Sequence, residues 1–225
     1  MKVSYNENSG LYEGLGAEYS ELVGSFGWMN RTQKTKDMQQ HWFLAIGQTA
    51  EGEYEILVEV PERYPTSLLA VVTRAIELKD QLLLTRVFHD GSEPEIIKLI
   101  RSHPDYDGLF GYRDEGSTLS GCPRYVMPPK TWESFRSYET VAEPTVVPEQ
   151  WRNDLQAAVE CFVGLWNRGV VRPDEGCAHL QRVMRGQPAD LPEHPLVRAA
   201  AWAVYLLEKE KGVENTVSGG GWSCY

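Results

Sequence analysis

The 225-residue chain lacks several features that would place it at once in a familiar class. Its four cysteines are widely spaced and form no Cys-x-x-Cys pair, so the spacing of a zinc ribbon and the framework of a disulfide-rich protein are absent. The longest unbroken apolar run has nine residues, Ala199 to Leu207, whereas about 20 are needed to span a bilayer. We therefore expect reduced thiols, no membrane segment and a cytoplasmic location.

Familiar catalytic motifs are missing as well. The chain has no Gly-rich phosphate loop ending in Gly-Lys-Ser/Thr, no Gly-x-Ser-x-Gly elbow and no His-Glu-x-x-His, which excludes the chemistries that depend on them. Basic residues are also in the minority, with 22 Lys and Arg against 32 Asp and Glu and a net charge of −10. This balance argues against a protein whose whole surface binds nucleic acid. It leaves room for a nuclease, because the metal-binding groups of a nuclease are themselves acidic.

The overall composition is that of a folded protein. Hydrophobic residues make up 42% and charged residues 24% of the chain, which is ordinary for a globular domain. Residues 1–40 are rich in Gly, Asn, Ser and Glu, and we expect a partly ordered arm with a short helix near 17–23. Residues 41–211 are expected to form a single α/β domain. Residues 212–225, which contain Gly219-Gly220-Gly221, are expected to be a flexible tail.

Periodicity defines the elements of the α/β domain. Residues 41–47 and 53–60 are rich in strand formers and are joined by a short loop containing Gly52, which predicts an antiparallel hairpin. A helix capped by Thr66 or Ser67 and a buried strand at 82–88 follow, and this order indicates a parallel crossover. The last third is helical, with helices expected over 148–168, 173–185 and 195–211. Gly169 suits a left-handed helix cap, and the final helix is apolar on nearly every side, so it should be buried.

Asp90 is the first candidate functional residue. It follows His89 at the carboxyl end of the predicted strand 82–88, and ligand and metal sites of α/β sheets lie at that end of the strands. The alternative is a simple turn, because His-Asp-Gly is good turn chemistry.

Other residues carry weaker signals. Cys161, Cys177 and His179 are of residue types that bind metal ions, but their spacing fits no compact metal site. Cysteines also commonly occupy the core-facing sides of helices. His194 begins the final helix, where a structural role is the simpler interpretation. A group of aromatics in 125–138 either stacks on bases or a partner, or pins loops to the domain; its members are Tyr125, Trp132, Phe135 and Tyr138.

The element order and two segments, 165–180 (LWNRGVVRPDEGCAHL) and 193–203 (EHPLVRAAAWA), resemble the nuclease domain of phage large terminase subunits. The resemblance implies a ribonuclease-H-like fold, with a mixed sheet and flanking helices, over roughly 41–211. Nucleases of this family hold two divalent metals, Mg²⁺ or Mn²⁺, with carboxylates from the first strand, a later strand end and the last helix. The resemblance therefore implies Asp90 and Glu193 as the catalytic and metal-binding residues of this chain.

Two departures from the family pattern decide between the functions. The expected first strand carries no acid in residues 45–48 (AIGQ), and the final helix offers His194, Pro195 and Arg198 where an acid is expected, with Glu193 as the only nearby candidate. The first hypothesis is therefore a phage- or prophage-derived protein that is non-catalytic or accessory in DNA packaging or processing, with DNA or a phage protein as its partner. The second is a metal-dependent DNA nuclease whose site is rebuilt from Asp90, Glu193 and either Glu51 or Glu55. The third is a bacterial protein-interaction domain unrelated to phage.

Overall fold

The computed structural model describes residues 3–28, 41–61, 68–89, 119–121, 149–186 and 191–217. Within these residues the chain forms eight β-strands, four α-helices and a short 3₁₀ turn at Leu191–Glu193. The strands are β1 Ser4–Asn6, β2 Leu11–Gly14, β3 Ala17–Trp28, β4 His41–Thr49, β5 Tyr54–Val60, β6 Arg86–His89, β7 Leu119–Gly121 and β8 Val171–Pro173. The helices are α1 Leu68–Leu82, α2 Glu149–Asn167, α3 Ala178–Gly186 and α4 Pro195–Val217.

All eight strands belong to one mixed sheet, which agrees with the expected α/β class. From one edge the order is β8-β5-β4-β3, with β4 antiparallel to both of its neighbours and β8 parallel to β5. The other side of β3 is shared by two partners. Its N-terminal part pairs antiparallel with β2, and its C-terminal part pairs parallel with β6, from Val23 opposite Arg86 to Phe26 opposite His89. Strand β7 lies parallel beyond β6.

The N-terminal segment differs from the expected arm. Residues 17–28 form the longest strand of the sheet among the described residues, where a short helix near 17–23 was expected. Leu22, Val23 and Phe26 are fully buried, so the folded domain begins well before residue 41. The glycines that suggest a loop in the sequence are sites of close packing. A Cβ on Gly24 would lie 2.5 Å from the ring of Phe43.

Each face of the sheet is covered by helices. Helix α1 packs on one face against Leu22, Phe26 and Phe43. Helices α2 and α4 pack on the opposite face against a second set of strand residues, which includes Val23 and Leu44. Residues 196–204 of α4 are all buried, which confirms the prediction that this helix is central. No described helix is both long enough and apolar enough to cross a membrane.

The predicted hairpin is present, but a bulge changes which side chains share a face. Strands β4 and β5 pair antiparallel, and the register shifts between Ala45 and Ile46. Tyr54 and Ile56 therefore face α2 and α4, whereas Val60 faces α1. Simple alternation in the sequence predicts one common face for Tyr54, Ile56, Val58 and Val60, and that prediction is wrong because the bulge inserts one unpaired residue.

The predicted end of α2 is correct, whereas the caps predicted for α1, Thr66 and Ser67, lie outside the described residues. Gly169 has φ +73°, and the Val170 N–H donates to the Leu165 carbonyl at 3.0 Å, closing α2 with a left-handed cap as expected. Helix α1 ends in the same way with Leu83 at φ +54°. Because α1 runs to Leu82, the strand expected at 82–88 begins only at Arg86.

The remaining boundaries also shift. Helix α3 begins at 178, where a start at 173 was expected, and α4 extends to 217, so 212–217 are helical where a flexible tail was expected. A helix expected from Pro94 and strands expected near 109–112 and 122–127 lie outside the described residues.

Candidate functional site at the carboxyl end of the sheet

Three parallel strands, β3, β5 and β6, end on the same side of the sheet, and helix α4 begins there. A Cβ built on Gly27, near the end of β3, would lie 1.8 Å from the carbonyl oxygen of Pro195. The first turn of α4 therefore lies directly on the strand. His89, the last residue of β6, pairs with Phe26, so β6 ends beside the start of α4. In α/β sheets this is the end where ligands bind.

The structure describes the backbone of only one of the two acidic residues expected at this site. Asp90 follows β6 directly and lies outside the described residues. Glu193 ends the 3₁₀ turn that precedes α4, so its backbone is at the carboxyl end of the sheet. The end of β6, which precedes Asp90 in the sequence, and the backbone of Glu193 therefore lie at the same end of the sheet.

The other two candidate carboxylates lie at the opposite end. Glu55 pairs with Gly47, and Gly47 pairs with Leu22. Leu22 is four residues before Phe26, which corresponds to about 13 Å along the strand. Glu51 lies farther away still, in the turn between β4 and β5. Neither residue can join a site at the ends of β3 and β6.

Glu55 instead stabilises the amino end of β3. Its Oε2 accepts a hydrogen bond of 2.6 Å from the Tyr19 hydroxyl. Burial, followed by the contact with the Glu55 carboxylate, raises the pKa of Tyr19. Glu21 has a similar structural partner, because Arg86 donates two hydrogen bonds to it at 2.7 and 2.8 Å. Both acids therefore have structural roles, because Glu55 links β5 to β3 across β4 and Glu21 links β3 to its neighbour β6.

Helix α4 runs antiparallel to β3. It starts over Gly27, and near its other end the Lys211 ammonium donates to the Gly52 carbonyl at 3.0 Å, in the turn between β4 and β5. The Tyr54 hydroxyl likewise donates to Glu208 at 2.6 Å. Moving along α4 from its first turn therefore means moving back along β3 from Gly27 towards its start.

A set of buried polar groups lies where these two elements cross. Ser25 shares the Gly27 face of β3, because side chains two apart on a strand point the same way. Arg198 and Trp202 are four residues apart on α4 and share one side of the helix. All three side chains are buried, at 0%, 1% and 1% exposure for Ser25, Arg198 and Trp202. Among the described residues, the Ser25 hydroxyl and the Trp202 indole nitrogen have no hydrogen-bond partner.

A second polar feature lies at the end of β5. The buried Glu59 carboxylate accepts the backbone N–H groups of His179 and Leu180 at 2.8 and 3.0 Å, and it contacts the His179 Nδ1 at 2.7 Å. Glu59 thereby satisfies the first amide groups of α3. The imidazole also packs against Trp42, with ring centroids 5.2 Å apart.

The cysteine and histidine candidates do not form a metal site. The Cys177 thiol is buried and donates to the Ile56 carbonyl at 3.2 Å, and burial raises its pKa to about 12. In the part of the chain that the structure describes, no three His, Cys, Asp or Glu side chains are placed to hold a metal ion. The interpretation of Cys177 as a core residue is confirmed.

Sequence reasoning missed Glu59 and Ser25, and it noted Arg198 only as a residue of the final helix that stands where an acid is expected. Glu59 and Arg198 have a recognisable signal, because each is a charged residue inside an otherwise apolar stretch of a strand or helix. Ser25 has no such signal, since its burial depends on the packing of α4. Comparisons of the chain with protein-family models, with curated proteins and with solved structures found no match.

Proposed function

We propose that the chain is a ribonuclease-H-like protein in which the metal site of the related nucleases has been lost, and that it serves phage or prophage DNA packaging or processing as a non-catalytic, accessory protein. The order of elements supports this assignment. Strands β3, β4 and β5 form an antiparallel run, α1 crosses over, and β6 returns parallel to β3. The terminase nuclease domains that the sequence resembles begin with the same succession.

In this comparison, β3 is the strand that corresponds to the first strand of the nuclease domains, whereas the sequence alone suggested residues 41–48, which lie in β4. Strand β3 is the one that β6 joins in parallel, whereas 41–48 belong to the antiparallel second strand. The half of β3 beside β6 reads Val-Gly-Ser-Phe-Gly-Trp and carries no acid. The acids of β3, Glu18 and Glu21, are in its N-terminal half. A first-strand carboxylate is therefore missing on the corrected strand too.

The observation that carries the proposal is Arg198. It lies in the first turns of the last helix, beside the end of β3, with a side chain only 1% exposed. A guanidinium offers five N–H donors and no lone pair for a metal. A site of this kind is unsuited to the pair of metal ions that activates water in two-metal nucleases.

Asp90 and Glu193 are then the acids that remain from the implied metal set. Two carboxylates are few for two Mg²⁺ or Mn²⁺ ions. The proposed partners are DNA or a phage or prophage protein in the cytoplasm.

Cleavage of supercoiled plasmid in Mn²⁺ tests the proposal. The wild-type chain, Asp90→Ala and the control Glu175→Ala, which removes an exposed acid, are compared. We expect no cleavage by any of them and no Mn²⁺-dependent rise in Tm. Cleavage by the wild type and by Glu175→Ala, but not by Asp90→Ala, would establish a metal-dependent nuclease and refute the proposal.

A further inference from the structure

The buried Glu59 carboxylate and the partly exposed His179 ring form a pair that the proposed function does not use. The Glu59 side chain is 2% exposed, and that of His179 is 30% exposed. Glu59 Oε1 lies 2.7 Å from His179 Nδ1, and the carboxylate also accepts the backbone N–H groups of His179 and Leu180 at 2.8 and 3.0 Å. These three contacts hold the carboxylate, and through it the imidazole, in one position.

The contact with Glu59 fixes where the imidazole carries its proton. An ionised carboxylate accepts hydrogen bonds and cannot donate them, so Nδ1 must carry the hydrogen that it donates to Oε1. In the neutral ring the other nitrogen, Nε2, then holds the free lone pair. Glu59 is therefore a positioning residue that makes Nε2 the nucleophilic atom of His179.

The Nε2 atom is also accessible to solvent. It makes no hydrogen bond with the described residues, and it is not one of the side-chain atoms that are enclosed there without a partner. The ring packs against the buried Trp42, with centroids 5.2 Å apart and ring planes inclined by 58°. The ring is thus restrained by Glu59 and Trp42, while Nε2 stays open to a reagent that approaches from outside.

The charge next to His179 selects the kind of group that Nε2 can accept. Arg182 is three residues further along α3, and side chains three apart on a helix are neighbours. The Arg182 side chain is exposed, and no contact within the described residues engages its guanidinium. A positive charge in this position favours a transferred group that is itself negative, and a phosphoryl group has both the charge and the acceptor oxygens.

We propose that His179 is a phosphorylation site, at which Nε2 accepts a phosphoryl group from an acyl phosphate or a phosphoramidate donor. The Nε2 lone pair forms the new N–P bond while the bond between phosphorus and the leaving group of the donor breaks. The ring keeps its Nδ1 proton, so no base is needed, and the Glu59 carboxylate compensates the positive charge that the ring gains. The site goes beyond the proposed function, because it involves neither DNA nor a metal ion.

Labelling of the full chain with potassium phosphoramidate near neutral pH tests the proposal, with ammonia as the leaving group. The chain has five histidines, so the other four are internal controls, and fragment mass spectrometry locates the label. We expect the first phosphoryl group to enter at His179. The variant His179→Gln should lose this first addition, and the control His103→Gln should keep it. In urea the preference for His179 should disappear, because it depends on the fold.

Long-range ¹H–¹⁵N NMR tests the role of Glu59 directly. We expect the wild-type ring to be protonated at Nδ1 before labelling and phosphorylated at Nε2 after it. Glu59→Gln removes the carboxylate, so products on both nitrogens should form. If that variant does not fold, the wild-type spectrum still decides, since a ring protonated at Nε2 would overturn the proposal.

Two arginine variants test the choice of group. Arg182→Gln should slow the labelling of His179 by about two- to fivefold, the factor that an exposed pair of charges supplies. Arg185→Gln removes another exposed arginine about one turn further along α3 and should leave the rate unchanged.

Label spread over the histidines without preference for His179, or label on Nδ1, would overturn the proposal. The result is separable from that of the plasmid assay. Metal-dependent cleavage would refute the proposed function only, and unselective labelling would refute this inference only.

Discussion

Replacing Gly27 by alanine tests whether the first turn of α4 lies directly on β3, the contact on which the candidate site depends. The added Cβ would lie 1.8 Å from the Pro195 carbonyl oxygen, 2.7 Å from its carbonyl carbon and 3.1 Å from the Cβ of Ala199. The first two atoms belong to the backbone, so no side-chain rotation relieves the overlap. The amino end of α4 must move away from the sheet.

The size of the effect follows from the cost of overpacking. Extra methylene groups in a packed core cost about 1–3 kcal/mol, and occasionally more. A clash with backbone belongs at the upper end, so we expect Gly27→Ala to lower the free energy of unfolding by about 3 kcal/mol. For a chain of this length that corresponds to a fall in Tm of roughly 6–12 °C.

Gly24→Ala is the matched control. It lies three residues earlier on the same strand, and its Cβ would meet the Phe43 ring at 2.5 and 2.8 Å and Leu84 at 3.2 Å. These neighbours are side chains that can rotate, so the expected cost is about 1–2 kcal/mol. Urea denaturation of both variants measures the difference. A Gly27→Ala protein as stable as Gly24→Ala would show that α4 does not begin against β3, and the site argument would fail with it.

Three further predictions concern single contacts. Glu59→Gln should destabilise the fold by about 2–4 kcal/mol in urea denaturation, because a buried charged acceptor of two amide groups is lost. The control Glu53→Gln, at an exposed ion pair, should cost less than about 1 kcal/mol, and equal costs for the two variants would contradict the capping role of Glu59. Gly169→Ala should cost about 1 kcal/mol through its φ of +73° alone, since an added Cβ meets nothing within 4 Å, and Gly186→Ala, equally open but without a positive φ, should be neutral or slightly stabilising. Burial raises the pKa of Cys177 from 9.0 to about 12, so the contribution of the neutral thiol to stability is complete below pH 9 and is lost as the pH rises towards 12. The urea midpoint should therefore fall more steeply over this range in the wild type than in Cys177→Ala. Equal slopes would show that the Cys177 thiol is not buried in this way.

The parts of the fold that local chemistry controls were predictable from sequence. The hairpin, α1, the helical last third and the Gly169 cap depend on periodicity and on residues close in the chain. The strand at 17–28 was not predictable in the same way. Its glycines are required by Phe43 and Pro195, which are distant in sequence, so the pattern that indicates flexibility locally reflects close packing in the folded chain.

The site follows the same division. Asp90 and Glu193 were proposed from strand ends and from a family resemblance, and their role as site residues stays a prediction. Sequence reasoning could not show that Arg198 is buried, because whether a charged side chain on an apolar helix faces solvent or the core depends on which elements pack around the helix. Ser25 needs still more information, since only the direction of α4 across β3 shows that a small hydroxyl is enclosed there.

Under the proposed function, a buried arginine of the last helix stands where the related nucleases have an acidic metal ligand. In a two-metal nuclease the metal ions are what hold the phosphodiester, and they also generate the attacking hydroxide. A guanidinium can hold a phosphate directly through its donors, but with a pKa above 12 it neither ionises water nor accepts a proton. Under the proposed function, Arg198 at this position would therefore remove the step that cleaves the phosphodiester. The plasmid assay measures this loss directly, because it detects hydrolysis and not binding.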